Sequence, residues 1–208
     1  MAQDLNLTNL LKWSLENSTP ADPSAPRTNG TSQPSRPIDT SALDAIFGGP
    51  SDADLMKESM AQIQSPTHSL EEKLVAFDNF EQLIESLDNA NNMAPLGLWT
   101  PLLTQLEHSD AEMRKMAAWC VGTAVQNNAQ AQERALVGGA VPSLLKMFRE
   151  KEQTNRRKAR YAVSSLVRNY QPGMDVLLEE LNGGEKRVDA NDMEAVDRLL
   201  EELLESGQ

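Results

Sequence analysis

Hydrophobic positions recur along most of the chain with the spacing of helix faces. Leu55, Met56, Met60 and Ile63 share one face. Leu70, Leu74, Phe77, Phe80, Leu83, Ile84 and Leu87 then line a pattern long enough for about five helical turns. Ser51 with Asp54, Ser69 with Glu72, and Ser109 with Glu112 have the spacing of capping boxes in front of such patterns. LDAIFGGP, from Leu43, predicts one helical turn ended by Gly48 and Gly49. No segment sustains a two-residue alternation, so the expected fold class is all-α.

The pattern repeats. KLVAFDNFEQLIE from Lys73, KMAAWCVGTAVQN from Lys115 and RKARYAVSSLVRN from Arg157 superpose at a constant offset of 42, which aligns Phe77, Trp119 and Tyr161. Between them Trp99, Leu102, Leu103 and Leu106 fall on Val141, Leu144, Leu145 and Phe148 at the same offset, with Pro101 and Pro142 near the helix starts. A helical repeat of this length is the armadillo or HEAT period. It predicts an armadillo-like α-solenoid over residues 43–187, in which each unit buries its apolar face against the next. After QPGMDVLLEELNGGEKR the period ends. Met193, Val196, Leu199, Leu200, Leu203 and Leu204 then define one acidic helix, expected to act as a C-terminal cap over residues 188–208.

The first quarter reads differently. Leu7, Leu10, Leu11 and Leu15, with Trp13 beside them, form a short amphipathic segment within residues 1–16. Residues 17–42 hold one large apolar side chain, Ile38, among Pro, Ser, Thr, Asn and Asp, a composition expected to stay disordered. Six of the eleven prolines lie in the first fifty residues. An isolated helix of about ten residues is marginal in water, so the segment is read as a tethered binding element.

Charge narrows the partners. The net charge of −12 argues against nonspecific binding to nucleic acid or anionic lipid, and no apolar run reaches membrane-spanning length. The charge is banded: residues 146–168 hold eight bases and two acids, and residues 175–208 hold eleven acids and three bases. The basic ridge, including Arg156, Arg157 and Arg160, suits a protein partner with an acidic face, or serves as a solvated helix surface. A single cysteine, Cys120, and the absence of a leader pattern at Met1 fit a reducing, cytoplasmic location.

Catalytic chemistry has little support. His68 and His108 fall in interhelical turns, Cys120 sits among core positions, and no metal set or phosphate-binding loop is present, so no catalytic residue, metal or cofactor is expected. The Trp-then-Asn ladder with which some armadillo proteins read basic import peptides is missing: Thr123 follows Trp119 and Ser165 follows Tyr161.

LLKWSLENS (10–18), FGGPSDADLMKESM (47–60), KLVAFDNFEQLIESLDNANNM (73–93), AAWCVGTAVQNN (117–128) and AVSSLVRN (162–169) closely resemble the armadillo-type nucleotide exchange factors of heat-shock-70 chaperones, in particular the fungal cytosolic branch. The resemblance implies a co-chaperone, monomeric alone, that binds the chaperone's nucleotide-binding domain and promotes release of ADP and of client. It implies chaperone contacts at Phe77 and Asp78 and along DNANN, here Asp88, Asn89, Ala90, Asn91 and Asn92. It also implies a release segment at Leu10, Leu11, Trp13 and Leu15 that competes for the chaperone's peptide groove. An armadillo adaptor without exchange activity is the alternative sharing the fold.

Overall fold

The computed structural model describes residues 48–183 and 187–206. The N-terminal segment, the linker and most of the turn around Leu43 lie outside the described residues. The chain divides into two units, Met1–Pro50 and Ser51–Gln208. Of the first, Gly48 to Pro50 are described, exposed and not helical.

The second unit has ten helices among its described residues and no strand. They are α1 (Asp52–Gln64), α2 (Leu70–Ile84), α3 (Leu87–Asn92), α4 (Trp99–Gln105), α5 (Ala111–Val125), α6 (Ala129–Val137), α7 (Ala140–Met147), α8 (Gln153–Val167), α9 (Gln171–Asn182) and α10 (Met193–Ser206). The 42-residue period is visible in the element bounds: α3, α6 and α9 start at Leu87, Ala129 and Gln171, while α2, α5 and α8 end at Ile84, Val125 and Val167, within one residue of the same spacing. The α5–α8 contact is the most extensive, α2 packs on α5, and α10 lies against α8. This is the expected α-solenoid, with the acidic helix at its C-terminal end.

Local chemistry explains the boundaries. Ser69 and Glu72 form a reciprocal capping box, and the Ser69 N–H bond to the Glu72 carboxylate (2.7 Å) holds that carboxyl below its ordinary range. Ser51 caps α1 through its hydroxyl. The third box differs from expectation. Asp110, not Ser109, caps α5, accepting the Glu112 N–H at 2.8 Å while its own N–H donates to His108 Nδ1 at 2.9 Å. The long helix is also shorter than its pattern, ending at Ile84. Leu87, 58% exposed, begins a new helix, so DNANN is a short helix of its own. Reversals sit at repeating positions: Gly97 and Gly139 are left-handed (φ 69° and 77°), as are Asn127 and Asn169 (φ 53° and 54°). Glycine meets no steric penalty there, and asparagine is the side chain that tolerates it best.

The core runs the length of the unit, from Met56, Phe77 and Phe80 through Leu102, Met113 and Leu144 to Leu166, Val196 and Leu200. Polar groups tie one repeat to the next. Thr123 Oγ1 donates to Glu81 (2.6 Å), Asn128 to Asn91 (3.0 Å), and Gln132 to the Ser165 carbonyl (2.9 Å). The fully buried Asn155 donates to the Ala111 carbonyl (2.9 Å) and to Glu150 (2.7 Å), and Glu150 also pairs with Arg114 at 2.6 Å.

Burial pushes the Glu150 carboxyl up, but the Arg114 and Asn155 hydrogen bonds and the guanidinium charge outweigh it and hold the group below its ordinary value. A carboxyl whose folded pKa is depressed contributes stability that is full above its unfolded value, about 4.3, and lost as pH falls through the folded value. Glu150→Gln is therefore expected to flatten the acid-side dependence of thermal stability below about pH 4.3. Melting curves from pH 3 to pH 7 check this, and an unchanged slope would assign the acid sensitivity to other carboxylates.

Candidate functional site

The expected contact residues separate into core and surface. Phe77 is fully buried, and its carbonyl accepts a weak bond from the Cys120 thiol at 3.8 Å. As a side-chain contact for a partner it is corrected: the one-turn spacing of Phe77, Phe80 and Ile84 puts all three in the core. Asp78, the next residue, points outward and accepts from Gln82 at 3.0 Å.

Helix α3 divides in the same way. Ala90 is 2% exposed and belongs to the core. The Asn89 amide is committed to Asp52 (2.8 Å) and to the Leu83 carbonyl (2.9 Å), which fixes α3 against α1 and the end of α2. Asn91 accepts from Asn128 of the next repeat. Asp88 and Asn92 remain exposed. Of the five DNANN side chains, two lie open on the surface and three hold the helix in place.

Half of the eight bases in the ridge are engaged from within. Arg156 Nη1 donates to the Glu150 and Lys151 carbonyls (2.6 and 2.9 Å). Arg160 faces Asp197 and Glu201 of α10 at 3.9 and 3.7 Å, and Arg168 pairs with Asp197 at 2.5 Å. Lys146 pairs with Glu107 at 2.6 Å. The charge bands read from the sequence thus partly neutralise each other where α10 crosses α8. Arg157 is exposed.

A cleft of about 660 Å³ between α5 and α8 is lined by Lys115, Met116, Trp119, Thr154, Arg157, Lys158 and Tyr161. The Lys158 ammonium lies 3.4 Å from the centre of the Trp119 ring and 6.0 Å from that of Tyr161, within cation–π range. Gly122 sets the cleft wall: a Cβ there would come within 2.5 Å of the Tyr161 ring and 3.1 Å of the Ala162 Cα. Sequence reasoning aligned Trp119 with Tyr161 but did not join them to Lys115 and Lys158. The signal was present, since Lys115 and Met116 fall on Arg157 and Lys158 at the repeat offset.

His108 is committed to its turn, burial pushes the Cys120 thiol up and away from the reactive thiolate, and no three His, Cys, Asp or Glu side chains cluster as metal ligands among the described residues.

Comparison with known proteins places the chain in a family. Residues 7–93 match the model described as nucleotide exchange factor Fes1, and residues 89–189 match the SIL1/FES1/HPBP1 C-terminal domain. A Gibberella zeae protein named Hsp70 nucleotide exchange factor FES1 is 55% identical, over 97% of each chain. The chain belongs to the Fes1 family. A Coccidioides immitis protein of the same name is 50% identical over 97% of this chain and 98% of its own length. A Kluyveromyces lactis namesake is 44% identical over 77% of this chain and 54% of its own. A crystal structure of an engineered protein, 15% identical, matches 81% of this chain and 68% of its own with a TM-score of 0.50, a likeness of fold alone. Within the Fes1 frame the two matched intervals overlap in α3, and α10 lies beyond both. No described helix is long and apolar enough to cross a membrane.

Proposed function

We propose that this Fes1-family chain is a nucleotide exchange factor for cytosolic Hsp70 chaperones, a non-enzymatic co-chaperone that is monomeric alone. The observation that carries the reading is 55% identity, over 97% of each chain, to a relative bearing that name. The solenoid's docking features support it. A factor of this kind needs no reacting group of its own, because it acts by binding the open arrangement of the chaperone's nucleotide-binding domain more tightly than the ADP-closed one. Each tenfold preference shifts that equilibrium by about 1.4 kcal/mol. ADP then leaves faster, ATP rebinds, and the client is discharged.

In this reading the armadillo repeats, residues 43–187 with the helix at 188–208, dock on the nucleotide-binding domain. The exposed Asp78, Asp88, Asn92 and Arg157 are available to it. Residues 1–16 serve as the release segment, with Leu10, Leu11, Trp13 and Leu15 competing for the chaperone's peptide groove. Residues 17–42 are the tether that turns weak capture into an intramolecular event. The working compartment is the cytosol.

The test is release of fluorescent ADP from a fungal cytosolic Hsp70. Stoichiometric factor is expected to accelerate it at least tenfold, and truncation of residues 1–42 to preserve the acceleration while slowing client release. An unchanged ADP release rate with excess factor would overturn the reading and leave the adaptor alternative.

A further inference from the structure

The cations of α8 are not equivalent. Arg156 and Arg168 donate to carbonyls or a carboxylate of the same unit, and Arg160 faces two carboxylates of α10 at 3.7 and 3.9 Å. Arg157 and Lys158 make no ion pair among the described residues, and both line the α5–α8 cleft. Lys158 is only partly exposed, and its ammonium is covered by the Trp119 ring, with no carboxylate in contact. Burial accordingly lowers its affinity for the proton, and the more distant Glu81 charge only partly offsets that. A partly desolvated cation beside a second unpaired cation, walled by Met116, Trp119 and Tyr161, is complementary to a carboxylate carried next to an apolar group.

We propose that the cleft between α5 and α8 is the docking site for an acidic side chain, flanked by an apolar one, on the surface of the Hsp70 nucleotide-binding domain. The proposal rests on the exchange-factor reading above and specifies which part of the solenoid recognises the partner. The incoming carboxylate meets Arg157 and Lys158, while the apolar neighbour packs on Trp119 and Tyr161.

The test titrates the full-length chain against full-length fungal Hsp70 in the ADP state, by fluorescence anisotropy at several salt concentrations. Arg157→Glu and Lys158→Glu are each expected to weaken binding at least tenfold and to reduce its salt dependence. Lys158→Met, which keeps the packing and removes the charge, should fall between them and the unsubstituted chain. Arg149→Glu, an exposed cation outside the cleft, should bind like the unsubstituted chain. Arg157 is on the surface, so its variant reports binding without a folding defect, checked by unchanged melting temperature. Unaltered affinity of both cleft variants, with exchange intact in the unsubstituted chain, overturns the cleft. Absence of binding by the unsubstituted chain overturns the functional reading instead. Saturable binding of free ADP to the factor alone, abolished by the cleft substitutions, would reassign the cleft to a nucleotide.

Discussion

Phe77→Ala is expected to cost about 3–5 kcal/mol of folding stability, the range for deleting a fully buried aromatic side chain. Phe77 is 0% exposed and lies on the face that carries Phe80 and Ile84 into the core, and its carbonyl takes the Cys120 thiol of the neighbouring repeat. Urea denaturation followed by tryptophan fluorescence measures the loss. Exchange activity should fall only in proportion to the unfolded fraction, so that cooling or a stabilising osmolyte restores it. If the variant keeps its urea midpoint and loses chaperone affinity, Phe77 is a contact residue after all, and the core assignment fails.

Ala90→Arg is the second large effect, and it acts on folding before it acts on binding. Ala90 is 2% exposed on α3, a six-residue helix held by Asn89 bonds to Asp52 and Leu83. An unpaired guanidinium forced into that position costs about 3 kcal/mol or more, and the short helix is expected to detach before it buries the charge. Asn92→Arg, on the exposed side of the same helix, should change stability by no more than about 0.5 kcal/mol. The pair separates the two roles of DNANN. Loss of chaperone affinity in Asn92→Arg at unchanged melting temperature places the partner on α3, whereas equal melting temperatures for the two variants would show that Ala90 is not packed.

The fold was legible because its repeat is written in large apolar residues. Phe77, Trp119 and Tyr161 announce the period, and the same offset governs where α3, α6 and α9 begin and, to within one residue, where α2, α5 and α8 end. What the pattern could not reveal was how a shared position is used. Phe77 is buried, while Trp119 and Tyr161 border an open cleft, and the difference arises from packing that an alignment of side-chain types does not contain. The break at Glu85 was hidden because Leu87 continues the apolar spacing of α2 although it is exposed. The cap of α5 is Asp110, whose N–H is taken by His108 Nδ1, a side-chain contact that the spacing of Ser109 and Glu112 does not contain. The basic ridge was visible as composition. That α10 would engage Arg160 and Arg168 while leaving Arg157 unpaired required contacts between helices distant in sequence.

The polar ties between repeats have a consequence for synthesis. Those from Glu81 to Thr123, Asn91 to Asn128, Ala111 to Asn155 and Gln132 to Ser165 join residues 33 to 44 positions apart. None has to wait for a distant terminus. At translation rates of roughly 5–20 residues per second, the partner of each tie leaves the ribosome within about ten seconds. The second unit can therefore assemble vectorially, repeat by repeat, with its newest apolar edge open only until the next helix arrives. Helix α8 is covered first by α9 and then by the acidic helix α10, so its apolar edge stays open for a time set by the chain between them.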